Sequence, residues 1–120
     1  YLQDVMVTAL DLAGAEKPKH VFYNSLRPLL SGEQMQSSYE SVYGAYLDLQ
    51  RSVTHDGWKL IAYPKAKVLR LYHLAEDPQE MHDLAAKPEH AAMKKAMFDR
   101  LVKLSADFND KVDLRNAFPQ

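Results

Sequence analysis

Arg51-Ser52-Val53-Thr54-His55-Asp56-Gly57-Trp58-Lys59-Leu60-Ile61-Ala62-Tyr63 is the stretch that decides the fold of this chain. Two β-prone runs flank Asp56-Gly57, a pair that favours a type I′ turn because both central positions need positive φ. The stretch reads as an antiparallel hairpin. Before it, Val42, Tyr43, Ala45 and Tyr46 form another β-prone run. After it, residues 68–74 supply a further strand that comes after a turn at 64–67 and ends before Asp77-Pro78, because the residue preceding a proline is driven out of helical geometry.

Further out the period changes from two to between three and four. Beyond Lys87-Pro88, Met93, Ala96, Met97, Leu101, Leu104 and Phe108 recur at helical spacing, with Lys94, Lys95, Asp99 and Lys103 opposite them. This predicts a long helix packed on the sheet. Residues 110–120 are polar and are expected to fray, with Leu114 and Phe118 suited to docking. Toward the N-terminus, Val5, Met6, Ala9, Leu10 and Ala13 predict a short helix, with Asp4 as the cap and Gly14 at the left-handed C′ position. Its apolar face lacks an obvious partner within the chain. One or two helical turns are expected at 25–31, stopped by Gly32, with an exposed loop after them at 33–38. The fold class is therefore α+β, a small antiparallel β-sheet of about four strands packed against a long C-terminal helix and preceded by a short N-terminal helix. The expected division is 1–38 and 39–120.

Composition narrows the function. The 120 residues, 47% hydrophobic, suffice for one core, burying roughly 65% of the surface that the unfolded chain exposes. Fifteen basic and sixteen acidic residues leave a net charge of −1, so neither nucleic acid nor a membrane is expected as a partner. The absence of cysteine removes disulfides, thiolate nucleophiles and zinc–thiolate sites. No apolar run approaches the roughly 20 residues that span a bilayer. The chain begins at Tyr1 and enters a helical pattern within three residues, as expected of a segment from a longer protein.

Each chemical grouping has a plainer structural alternative. His73 and His82 flank the acidic turn at 76–80 without a metal-ligand spacing, so they read as solvated turn residues and the acids as turn and cap acceptors. Asp56, beside His55, is demanded by the hairpin turn. Ser25 and Ser52 lack a Gly-x-Ser-x-Gly setting, and there is no phosphate loop, His-Glu-x-x-His or EF-hand pattern. No catalytic residue and no metal ligand is assigned. Tyr46, Arg51, Trp58, Lys59 and Tyr63 interleave aromatic and basic groups and suggest an independent carbohydrate-binding or partner-binding face. The stronger reading packs Trp58 against a helix and leaves Arg51 and Lys59 as solvated cross-strand neighbours.

Six segments taken in order extend this reading. They are 4–14 (DVMVTALDLAG), 25–32 (SLRPLLSG), 43–46 (YGAY), 56–61 (DGWKLI), 71–80 (LYHLAEDPQE) and 84–85 (LA), and together they resemble the end of a type I sulfatase of the alkaline-phosphatase-like superfamily. Val7, Tyr23 and His73 depart from the proline, glycine and acidic residue usual in that pattern. The resemblance implies a parent that hydrolyses sulfate esters or sulfamates with a formylglycine, made from Cys or Ser in Cys/Ser-x-Pro-x-Arg, and a calcium ion. That motif is absent from this sequence. The implied role is that of a C-terminal subdomain, inactive alone, supporting an upstream catalytic domain, with 1–38 the end of the large domain or a linker. A sulfated glycan or small sulfate ester is the implied substrate, and Tyr46, Gln50, Arg51 and His55 are the candidate contacts to its non-sulfate part. A related phosphoesterase tail is the alternative within the superfamily. The compartment stays open, although export to the periplasm or beyond is common in glycan-degrading members. An apolar first helix without its partner would favour self-association.

Overall fold

Four strands form one antiparallel meander in the order β1-β2-β3-β4: β1 Val42–Tyr46, β2 Gln50–His55, β3 Trp58–Tyr63 and β4 Val68–His73. These elements come from a computed structural model, and the residues described are 1–119. At the β2–β3 turn Asp56 and Gly57 have φ of 45° and 74°, and His55 pairs with Trp58. This is the type I′ hairpin that the Asp-Gly pair predicts. The β3–β4 turn places Lys67 at φ 54°.

Alternation sorts the sheet into two faces. Tyr43, Arg51, Val53, Leu60, Ala62 and Leu71 share one face and are buried there. Against it lies α3, Ala91–Asp107, introduced by a 3₁₀ turn at Pro88–His90 and burying Met97, Phe98, Leu101 and Ser105. The helical face is rotated from the one the periodicity suggested: Ala96 is exposed, whereas Phe98 and Ser105 turn inward. On the other face Gly44 meets Ser52, whose Oγ stands 2.6 Å from where a Cβ at Gly44 would sit. A close approach between strands keeps this position small.

The free edge of β4 is covered by the loop that comes after it. Leu84 N–H donates to Leu71 O at 2.8 Å, and Leu71 N–H donates to Asp83 Oδ1 at 3.0 Å. Both groups would otherwise stand unpaired at a sheet edge. Asp77 accepts Met81 N–H at 3.0 Å and His82 N–H at 2.8 Å, and these bonds hold its carboxyl below the usual range. Asp77 acts as the expected turn acceptor, whereas Glu80 pairs with Lys59 Nζ at 2.6 Å and Glu76 lies 3.3 Å from His73 Nδ1.

Over residues 110–119 the tail does not fray as its polar composition suggested, and Gln120 lies outside the described residues. Helix α3 ends in a Schellman closure: Asn109, at φ 54°, donates to Ala106 O, and Asp110 N–H reaches Ser105 O, each at 2.9 Å. A short helix α4, Leu114–Ala117, then docks Leu114 into the core, capped by Asp113, which accepts Asn116 N–H at 2.9 Å. Phe118 meets Phe98 edge-on with ring centroids 5.7 Å apart.

The chain divides into two compact units, Tyr1–Glu40 and Ser41–Gln120, and the sheet and α3 form the second. The first unit holds α1, Asp4–Leu12, and α2, Arg27–Leu30. Gly14, at φ 68°, closes α1 with Ala15 N–H on Leu10 O at 2.9 Å, as its C′ role predicts. Asp4 does not cap the helix end. Its buried carboxylate instead accepts Tyr39 Oη–H at 2.6 Å and Asn24 N–H at 3.2 Å, tying α1 to its own unit through a polar face. The opposite stripe of Leu2, Val5, Met6, Ala9 and Leu12 is exposed.

Candidate functional site

Three of the four sequence candidates, Tyr46, Gln50 and Arg51, gather at the β1–β2 turn. Tyr46 pairs with Gln50 across the strands and is 62% exposed, and Leu47 comes next in a left-handed conformation at φ 47°. Such a conformation costs a branched residue energy and needs outside support. Arg51 supplies it, donating from Nη1 to Leu47 O at 2.6 Å and to Gln50 O at 2.8 Å.

Arg51 itself is only 4% exposed. Its Nε donates to Asp110 Oδ2 at 2.6 Å and its Nη2 to Asp110 Oδ1 at 3.0 Å, a two-point pair that matches the guanidinium fork. Tyr43 Oη–H and Val112 N–H also donate to this carboxylate. The Arg51 guanidinium therefore holds the Asp110 carboxyl well below the usual carboxylate range, against the opposing effect of burial. Burial, reinforced by the bond to Asp110, pushes the Tyr43 hydroxyl up to about 12. Arg51 is an internal latch between the turn and the end of α3, not the solvated cross-strand neighbour that its charge suggested.

His55 lies at the other end of β2, about 17 Å from Gln50 at the rise of an extended strand. Its Nδ1 is 3.2 Å from Ser41 Oγ, which also accepts from Arg100 Nη1 at 3.1 Å. Beside it, Trp58 stacks on His73 with centroids 4.4 Å apart and meets His90 at 5.5 Å. His73 is thus part of a packed aromatic group at the end of β4, while His82 is exposed. The proposed aromatic–basic face does not exist as one surface. Arg51 and Trp58 point to the α3 side, and Tyr46, Lys59 and Tyr63 alternate to the other.

Sequence reasoning missed Tyr43 and Asp110. Asn109 carried the usable signal, because an asparagine at the end of a helical run is suited to the left-handed C′ position and redirects the chain at that point. Among the described residues no three His, Cys, Asp or Glu side chains converge as metal ligands, so no residue here is assigned to calcium.

Residues 2–107 match the family model for N-sulphoglucosamine sulphohydrolase, C-terminal. The chain belongs to this family. It is a sulfatase C-terminal domain, and solved sulfatases share its fold. The chain is similar to BT1596, a 2-O GAG sulfatase, at 25% identity and a TM-score of 0.78, covering 95% of this chain and 28% of that one. It is also similar to BT4656, solved in complex with its substrate D-glucosamine-2-N,6-O-disulfate, at 24% identity and a TM-score of 0.79 over 90% of this chain and 24% of that one. That likeness speaks to the fold. An uncharacterized protein of Haemophilus influenzae is 28% identical over 119 residues, which cover 94% of this chain and 60% of that protein. This sulfatase C-terminal domain thus spans 60% of that curated relative and about a quarter of the solved chains.

Proposed function

We propose that this domain is the non-catalytic support of a sulfatase that acts on sulfated glycans, inactive alone, and that it presents the β1–β2 turn to the non-sulfate part of the substrate. The carrying observation is the C-terminal family match over residues 2–107 in a chain that holds no Cys/Ser-x-Pro-x-Arg motif. Formylglycine and calcium chemistry is assigned to the upstream catalytic domain. The exposed stripe of Leu2, Val5, Met6, Ala9 and Leu12 supports the same reading, as an apolar surface suited to that domain. A glycan substrate is supported by the glycosaminoglycan sulfatase and the disulfated glucosamine complex among its structural relatives.

Tyr46 and Gln50 are the proposed substrate contacts, one offering a ring for a sugar face and the other an amide for hydroxyls. Arg51 positions them through Leu47 and Gln50, and His55 is too far along the strand to act with them. In the full-length enzyme, Tyr46→Ala and Gln50→Ala are each expected to raise KM for a sulfated oligosaccharide about fivefold, the worth of roughly one hydrogen bond. The kcat should hold, and KM for a small aryl sulfate should not change. Unchanged KM for the oligosaccharide in both variants would remove the turn from the substrate site.

A further inference from the structure

A cavity of about 530 Å³ lies within the second unit, and none of the four candidate residues lines it. Its lining combines Leu69, Phe98 and Phe118 with Lys67, Lys94 and Lys95. The volume falls in the range of about 300–1,000 Å³ typical of small-molecule sites. The three lysines are not equivalent. Lys95 Nζ is paired with Asp99 Oδ2 at 2.6 Å, whereas Lys94 Nζ donates to Ala85 O at 2.7 Å, a neutral acceptor. Lys67, set in the β3–β4 turn at φ 54°, makes no ion pair among the described residues. Among the described residues, Lys67 and Lys94 therefore stand beside an apolar lining without an ion-pair partner.

We infer that this cavity binds a small amphipathic monoanion with a flat apolar body and one sulfate, sulfonate or carboxylate group. Leu69 and Phe118 offer surface to the body, with the buried Phe98 behind them, edge to face with Phe118. Lys67 and Lys94 offer charge-assisted hydrogen bonds to the head, strengthened by the poorly hydrated wall beside them. A sugar does not fit this chemistry. Among the described residues lysine is the only polar side chain in the lining, so the side chains provide donors and no acceptor, and ring hydroxyls buried there would exchange water for few partners. A cation is repelled, and a neutral hydrophobe gains nothing from the lysines.

The probe is 2-naphthalenesulfonate, with 2-naphthalenemethanol as its uncharged counterpart, titrated into the whole 120-residue chain by calorimetry and by NMR. The sulfonate is expected to bind about fivefold or more tightly than the alcohol and to weaken as salt is added. Lys67→Glu should cost the sulfonate about fivefold and leave the alcohol unchanged, because the side chain lies on an exposed turn. Lys94→Gln serves as a second variant should Lys67→Glu disturb the fold, because it removes the other head-binding charge while keeping a donor for Ala85 O, and it should weaken the sulfonate in the same direction. Shifts should fall on residues around Leu69 and Phe98. Equal affinity for the two probes, indifference of the sulfonate to these substitutions, or shifts confined to the 46–50 turn would each overturn the inference. Tyr46→Ala and Gln50→Ala should not affect this binding, so its failure and the failure of the substrate-turn reading are separable.

Discussion

Asp110→Ala is expected to destabilise the second unit by about 3–5 kcal/mol, the usual cost of removing one partner from a buried ion pair. Arg51 would keep its charge with side-chain exposure of only 5% and lose both acceptors of its Nε and Nη2. Tyr43 would lose the acceptor of its hydroxyl in the same step. Urea unfolding of wild type and variant measures the effect, and a loss below about 1 kcal/mol would place the pair in the weak surface class. Asp110→Asn keeps an acceptor and should fall between the two.

Acid dependence gives the same pair a second reading. The folded-state pKa of Asp110 is depressed by Arg51 first, then by Tyr43 and by Val112 N–H. Its stabilisation is therefore complete above the ordinary carboxylate value of about 3.9 and is lost as pH falls from there toward the folded value. Asp110→Ala should flatten this acid limb. Tyr43 works in the opposite direction, with a folded value raised to about 12. Its contribution is complete below the ordinary tyrosine value of about 10 and is lost as pH rises toward the folded one.

Leu101→Ala is the second large effect expected, about 2–5 kcal/mol for a fully buried leucine replaced by a cavity. Leu101 is 0% exposed at the centre of the α3 contact with the sheet. Its counterpart is Ala96→Lys, which should stay within about 0.5 kcal/mol because Ala96 faces solvent. Leu101 lies on both candidate faces, so its variant tests the packing of α3 on the sheet, and Ala96→Lys tests which face is buried. A costly Ala96→Lys would restore the face that simple periodicity suggested.

That face shows how far the sequence could be read. Met93, Met97, Leu101, Leu104 and Phe108 belong to both candidate stripes, so periodicity located the helix and its side. The choice between Ala96 and Phe98 depended on tertiary packing, to which the docked tail contributes Leu114 and Phe118. The hairpin was fully legible because only a few residues tolerate positive φ at two successive turn positions. Arg51 was misread although the signal was present. Strict alternation from Val53 puts it on the core side, and its charge outweighed that pattern in the reading. The aromatic–basic surface failed for the same reason, since Trp58 and Lys59, as neighbours on one strand, cannot share a face. The tail was misjudged from composition, where one left-handed asparagine and the bonds of Asp110 and Asp113 outweighed a polar average. Sulfatase membership was legible because it rested on the order of several weak segments, which local packing does not disturb.

The most direct test of the central claim measures hydrolysis of an aryl sulfate by the purified 120-residue chain, with calcium supplied and folding verified by its cooperative unfolding. A sulfatase C-terminal domain that supports chemistry performed elsewhere should show no turnover above the uncatalysed rate. Turnover that persists through repeated purification, and that Asp110→Ala abolishes as it unfolds the chain, would contradict the account and require an active site within residues 1–120.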